Sequence, residues 1–329
     1  MPEALLLSAS DLEKALDFPS VLAVLEEAFH AERRGGWDTP KRITARTAAG
    51  GLLAMPCAGG SPASMGAKLV TTFPGNTARG LPSVSGLYAL FDPDTGALQA
   101  VMDGGYLTLV RTAAVSALAT RLLAREDARS LGVLGAGAQA EFHIRLIATV
   151  RPIEQVTVWA RKRYRAEALV ASLRSRDELG RVVSWMVADE AKEAAGCDIV
   201  VSATAAAEPV LLGTWLREGS LVIPIGAHTR TTREIDSEAV ARASVLAVET
   251  VDTLAEAGDL QMAEDEAGGV VERAVTLGDL LDPSRPGLRD PQAITLFKSC
   301  GVAFEDLAVA NLAFQRARAS KAGTGFALA

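Results

Sequence analysis

Leu131-Gly132-Val133-Leu134-Gly135-Ala136-Gly137-Ala138-Gln139-Ala140 decides the fold of this chain. A short apolar run, suited to a strand, gives way to the pattern GxGxxA and then to helix-forming sequence. In such a pattern Gly135 permits a tight turn, Gly137 lets the backbone approach a pyrophosphate, and Ala140 lets helix and strand pack closely. The helix N-terminus offers oriented N–H groups and the positive end of a dipole. Gly135, Gly137, Ala138 and Gln139 are therefore expected to hold the phosphates of a dinucleotide. Glycine-rich turns also occur in α/β domains that bind nothing, so the surrounding sequence carries weight.

On the C-terminal side, short apolar runs at 155–160, 183–187, 198–202, 220–225 and 244–247 follow the first one at 130–134, with amphipathic stretches between them. That alternation is the signature of a parallel sheet with crossover helices. On the N-terminal side, an Ala-rich helix is expected over about 107–125. Before it, β-rich runs at 43–47, 51–55, 67–72 and 84–91 are broken by Pro74-Gly75-Asn76 and Asp92-Pro93-Asp94-Thr95-Gly96, which predicts an antiparallel sheet. Helical patterns start near Ser10 and Ser20, and a last amphipathic helix spans 301–320. The expected fold class is α/β: a Rossmann dinucleotide-binding domain over 114–301, and an α+β domain formed by 1–113 with 302–329 packing back on it.

Composition narrows the function classes. The 329 residues exceed what one core usually serves, 49% are apolar, and the formal charge is −7. Acidic residues are spread along the chain, which argues against nucleic acid or an anionic membrane as partner. Cys57, Cys197 and Cys300 form no CxxC pair, so neither a disulfide framework nor a zinc site is indicated. The N-terminus lacks a basic n-region, no apolar stretch reaches the roughly 18 residues of a membrane span, and a cytoplasmic protein is expected.

The second strand tests the cofactor. An NAD site usually carries Asp or Glu at its end, whereas here Trp159 runs into Ala160-Arg161-Lys162-Arg163. Arg161 and Lys162 favour a 2′-phosphate, hence NADPH, with NADH as the alternative and a solvated helix start as the bland reading. Thr204, after the run at 198–202, is placed to contact ribose or nicotinamide.

Taken in order, Gly66-Ala67-Lys68, Pro74-Gly75-Asn76, Gly80-Leu81-Pro82, Leu107-Thr108-Leu109-Val110-Arg111-Thr112-Ala113-Ala114, Gly135 to Ala140, and Phe297-Lys298-Ser299-Cys300-Gly301 resemble the ornithine cyclodeaminase/mu-crystallin family. The resemblance implies a homodimer acting on small α-amino or α-imino acids by hydride transfer between nicotinamide and the substrate α-carbon. It further implies that Arg42 and Arg111 bind the substrate carboxylate, that Lys68 is the active-site lysine, that Leu53 and Met55 adjoin the substrate, and that Thr112, Ser299 and Gly301 lie on the cofactor side. A bidentate guanidinium suits a carboxylate, while Lys68 could hold the carboxylate, polarise a C=N group or relay a proton. Arg42, on a charged stretch after Pro40, could instead be solvated surface.

Two departures stand out. Ornithine-cyclising members carry a Glu where this chain has Leu53, and an Asp after a Rossmann strand where it has His228. The first loss removes an anchor for a distal ammonium; the second substitutes a group that titrates near neutral pH. The expected function is therefore an NAD(P)H-dependent reductase of an α-imino acid or cyclic ketimine carboxylate, with Lys68 and His228 catalytic. Alternatives are an ornithine cyclodeaminase, an alanine-dehydrogenase-like enzyme, or a non-catalytic NADPH-binding protein. His143 is expected to pack or lie at the surface, and no catalytic metal is expected.

Overall fold

The computed structural model describes residues 3–284 and 290–327, and the chain divides into two compact units, 1–111 with 301–329 and 112–300. The first unit opens with β1 (Ala4–Leu7), α1 (Ala9–Ala15) and α2 (Phe18–Arg33). The helices begin one and two residues earlier than expected, because the caps lie upstream. The Ser8 hydroxyl accepts from the Asp11 N–H while the Asp11 carboxylate accepts from the Ser8 N–H, and the Asp17 carboxylate accepts from the Ser20 N–H. Strands β2 (Trp37–Asp38), β3 (Ile43–Arg46), β4 (Gly51–Gly59), β5 (Ser64–Thr72), β6 (Val84–Phe91) and β7 (Leu98–Asp103) follow. Helix α3 (Gly104–Leu123) then carries the chain from the first unit into the second.

The second unit is a wholly parallel sheet with intervening helices. It contains β8 (Ser130–Leu134), α4 (Ala138–Val150), β9 (Gln155–Trp159), α5 (Arg163–Leu173), β10 (Ser184–Val187), α6 (Ala191–Ala195), β11 (Ile199–Ser202), β12 (Leu221–Pro224), α7 (Ser237–Arg242) and β13 (Val245–Val248). Next come α8 (Val251–Glu256), α9 (Gly258–Ala267), α10 (Val270–Arg273), β14 (Ala274–Thr276), α11 (Leu277–Leu280) and β15 (Thr295–Lys298). The strand order β10-β9-β8-β11-β12-β15-β13-β14 puts the reversal of winding between β8 and β11, where α/β sheets open a crevice for ligands. The central strands β8, β11 and β12 are buried on both faces and read as nearly continuous apolar runs. Strand β15, inserted between β12 and β13, was not expected: four fully buried residues show no alternation to betray a strand.

The chain returns to the first unit as α12 (Ala303–Ser320) and β16 (Thr324–Phe326). Its sheet runs β16-β1-β7-β6-β5-β4-β2, with β3 on β4. The expected antiparallel sheet is in fact mixed, because β1 pairs parallel with β7; helices rather than a hairpin separate them, so nothing forces them antiparallel. One face receives α12, whose Phe304 stands edge-on to Phe29 at 5.1 Å and stacked on Trp37 at 5.8 Å. Among the described residues no helix is long and apolar enough to cross a membrane.

Candidate active site

In the second unit, Gly135 leaves β8 at φ +115°, and a Cβ there would lie 2.4 Å from the Ala203 carbonyl oxygen. Only glycine fits that turn. Gly137 caps α4, is exposed, and would meet nothing within 4 Å of a Cβ. No side chain caps the first turn of α4, so its N–H groups remain directed outward, as a pyrophosphate requires. The residues present therefore fit a dinucleotide. Ala138 is exposed beside Gly137, and the buried side-chain oxygen of Gln139 has no hydrogen-bond partner among the described residues. Arg161 and Lys162 are exposed directly after β9, while Arg163 is engaged with Glu167 and Asp189.

The carboxyl ends of β11 and β12 are tied by one buried acid. Glu234 accepts from the Ser202 hydroxyl, from the Thr204 N–H and hydroxyl (each 2.7 Å), and from the Gly226 N–H at 2.5 Å. Burial raises its pKa, opposed first by Lys298. The Thr204 hydroxyl, expected to face the cofactor, thus donates within the protein. His228 is exposed in the loop after β12, with Nδ1 3.1 Å from the Gly226 carbonyl oxygen. Ser299, after β15, donates to Glu249 at 2.5 Å, and Thr112 is buried in α3. His143 is fully buried and is a packing residue: Nδ1 donates to the Gln139 carbonyl at 2.7 Å, so Nε2 accepts from Ser116 at 2.9 Å, and burial lowers its pKa to about 4.

In the first unit, pairing register lines up Met55, Lys68, Tyr88 and Met102 across β4, β5, β6 and β7, all buried on one face. Leu53, two residues before Met55, points the same way and is half-buried. Lys68 Nζ lies 2.6 Å from Asp306 Oδ2, while Arg111 places Nε 3.1 Å from Asp306 Oδ1 and Nη1 3.0 Å from Glu305 Oε2. Burial, then the Arg111 charge, lowers the Lys68 pKa to about 8 against the pull of Asp306. Gly301 adopts φ +79°, and a Cβ there would fall 2.5 Å from Arg111 Nη1. Arg42 Nη2 donates to the Gly301 carbonyl at 3.0 Å. Gly301, expected on the cofactor side, therefore sits between the two arginines.

Sequence reasoning assigned no role to Glu305, Asp306 or Glu234. A signal was present for the first two: consecutive acids inside the apolar helical stretch Ala303-Phe304-Glu305-Asp306-Leu307-Ala308 cannot both point to solvent if the helix is packed. Glu234 carries no comparable mark.

The chain is similar to several known proteins. The Delta(1)-pyrroline-2-carboxylate reductase of Paracoccus denitrificans is 42% identical over 250 residues, 75% of this chain and 77% of that protein. The structure of Thermococcus litoralis Delta(1)-pyrroline-2-carboxylate reductase in complex with NADH and L-proline matches at a TM-score of 0.91 and 34% identity, covering 97% of this chain and 99% of that one. An archaeal alanine dehydrogenase dimer with bound NAD matches at 0.91 and 28% identity over 100% of both chains. The profile of the ornithine cyclodeaminase/mu-crystallin family matches residues 3–321, and the chain belongs to that family.

Proposed function

We propose that this chain is an NAD(P)H-dependent reductase of a small α-imino acid or cyclic ketimine carboxylate, of the pyrroline-2-carboxylate type. The observation that carries this reading is the buried cluster in which Lys68 and Arg111 share Asp306, with Arg42 reached through Gly301. Two guanidinium groups and an ammonium suit a single carboxylate and an adjacent C=N group, with Lys68 set on β5 and Arg111 on α3. The substrates named for the pyrroline-2-carboxylate reductases above support the same class.

A bound reduced nicotinamide supplies hydride to the imine carbon. Gly135, Gly137, Ala138 and Gln139 hold its phosphates, and Arg161 and Lys162 favour the 2′-phosphate of NADPH over NADH. Arg111 and Arg42 fix the carboxylate; Leu53 and Met55 shape the apolar side of the pocket. Lys68, with a pKa brought down to about 8, is matched to protonate the imine nitrogen near neutral pH. His228 offers a second proton donor on the loop after β12. Leu53 removes the anchor that a distal ammonium needs, which sets ornithine cyclisation aside.

We also propose a homodimer. Ile43, Ala54, Leu69 and Leu87 form one row across β3, β4, β5 and β6 on the sheet face opposite α12, and Ile43, Leu69 and Leu87 are exposed. An apolar face of this kind suits a second copy of the chain.

The test is consumption of NADPH and NADH by purified protein with a panel of cyclic imino acids. Turnover of at least one cyclic ketimine carboxylate is expected. Release of ammonia from ornithine without added cofactor, and none of that turnover, would refute the reading.

A further inference from the structure

Asp306 touches both Lys68 and Arg111, two of the three cations assigned to the substrate, and the following inference rests on that assignment. It lies in the first full turn of α12, is fully buried, and divides its two oxygens: Oδ2 takes Lys68 Nζ at 2.6 Å and Oδ1 takes Arg111 Nε at 3.1 Å. Glu305 beside it takes the other end of the same guanidinium, at Arg111 Nη1. We propose that Asp306 is a positioning residue that keeps Lys68 protonated and fixes the angle between Lys68 and Arg111, so that the ammonium is available as the proton donor.

The groups facing Lys68 come from every element packed around it. Met55 and Cys57 lie on β4, Tyr88 on β6, Arg111 on α3, and Glu305 and Asp306 on α12. Burial raises the Cys57 thiol to about 12, with Asp306 adding to the rise, and burial likewise raises the Tyr88 hydroxyl, so neither supplies a negative charge near neutral pH. Desolvation and Arg111 both oppose the ammonium, whereas Asp306 is the larger of the two carboxylate influences that favour it. Without Asp306 the surroundings of Lys68 would favour the neutral amine. The sign follows: removing the carboxylate lowers the pH at which Lys68 deprotonates.

The experiment titrates Lys68 directly, by the 13Cε resonance of lysine-labelled protein, assigned through its disappearance in Lys68→Arg. The wild type should titrate near 8. Asp306→Asn should titrate at least about one pH unit lower, and the alkaline limb of kcat/KM should move with it, a loss of about fourfold or more at pH 8 relative to pH 6.5. Asp306→Glu, which restores the charge, should return both midpoints toward the wild-type values. An unchanged Lys68 midpoint in Asp306→Asn overturns the proposal, as does an equal loss of kcat/KM at every pH in both variants. A wild type with no imine turnover whose Lys68 midpoint nonetheless falls in Asp306→Asn would sink the functional reading, and with it the proton-donor role, while upholding the hold of Asp306 on the Lys68 charge. Should Asp306→Asn fail to fold, the double variant Lys68→Met/Asp306→Asn leaves neither member of the pair alone; a cooperative thermal transition in it supports the pairing, and its absence overturns it.

Discussion

At the scale of the residue, Gly301 shows how a single missing carbon sets a binding site. At φ +79° an alanine is strained by about 1–2 kcal/mol, and its Cβ would press on an Arg111 that Glu305 and Asp306 already hold. Gly301→Ala should therefore raise KM for the imino acid by about tenfold or more, since about 1.4 kcal/mol is a factor of ten, while KM for the nucleotide stays the same. Initial-rate measurements with each substrate varied in turn separate the two. His143 makes a second prediction. Its folded pKa of about 4 lies below the ordinary value of 6.5, so the unfolded chain binds the extra proton between these limits. Its contribution to stability is full above pH 6.5 and is lost as pH falls toward 4, by about 3 kcal/mol in all. His143→Gln should flatten that acid limb in thermal melts recorded from pH 7 to pH 4. A melting temperature that falls as steeply in the variant would show that other groups carry the acid sensitivity.

Elements differ in how plainly the sequence announces them. The turn after β8 was legible because its chemistry is local: the positive φ of Gly135 and the open approach at Gly137 demand glycine within three residues. Gly135→Ala would drive a Cβ to 2.4 Å from the Ala203 carbonyl, so dinucleotide affinity should fall by about tenfold or more, read by quenching of tryptophan fluorescence. Unaltered affinity would mean that the loop can rearrange at no cost. Strands β4 to β6 were legible from their turns, although β4 and β5 extend beyond the expected runs. Helix α12 was seen as an element, but the role of its acids was not, because Asp306 meets Lys68 across 238 residues and Arg111 across 195. No local pattern encodes such pairings. The same holds for Glu234, which reaches Ser202 across 32 residues and binds mostly through groups every residue possesses. Lys68 and Arg111 were found through the family resemblance; each also stands in sequence as a cation among Val, Ala and Leu, where a charge is costly unless paired. Breaking such a buried pair costs about 3–5 kcal/mol, which is why the partner had to exist even though the sequence did not name it.

At the scale of the molecule, one face of the first unit's sheet is covered by α12 and the other carries the apolar row through Ile43, Ala54, Leu69 and Leu87. If a second copy covers that row, Leu87→Asp should halve the mass measured by light scattering without altering the far-ultraviolet circular dichroism. A variant that keeps the wild-type mass would place the assembly elsewhere. Following the hydride tests the proposed reduction most directly. Purified protein given pyrroline-2-carboxylate and NADPH or NADH deuterated at C4 of the nicotinamide, on the face it transfers, should yield proline carrying one deuterium at the α-carbon by mass spectrometry. Proline formed without that deuterium, or none formed from any cyclic ketimine carboxylate with either nucleotide, would contradict the assignment.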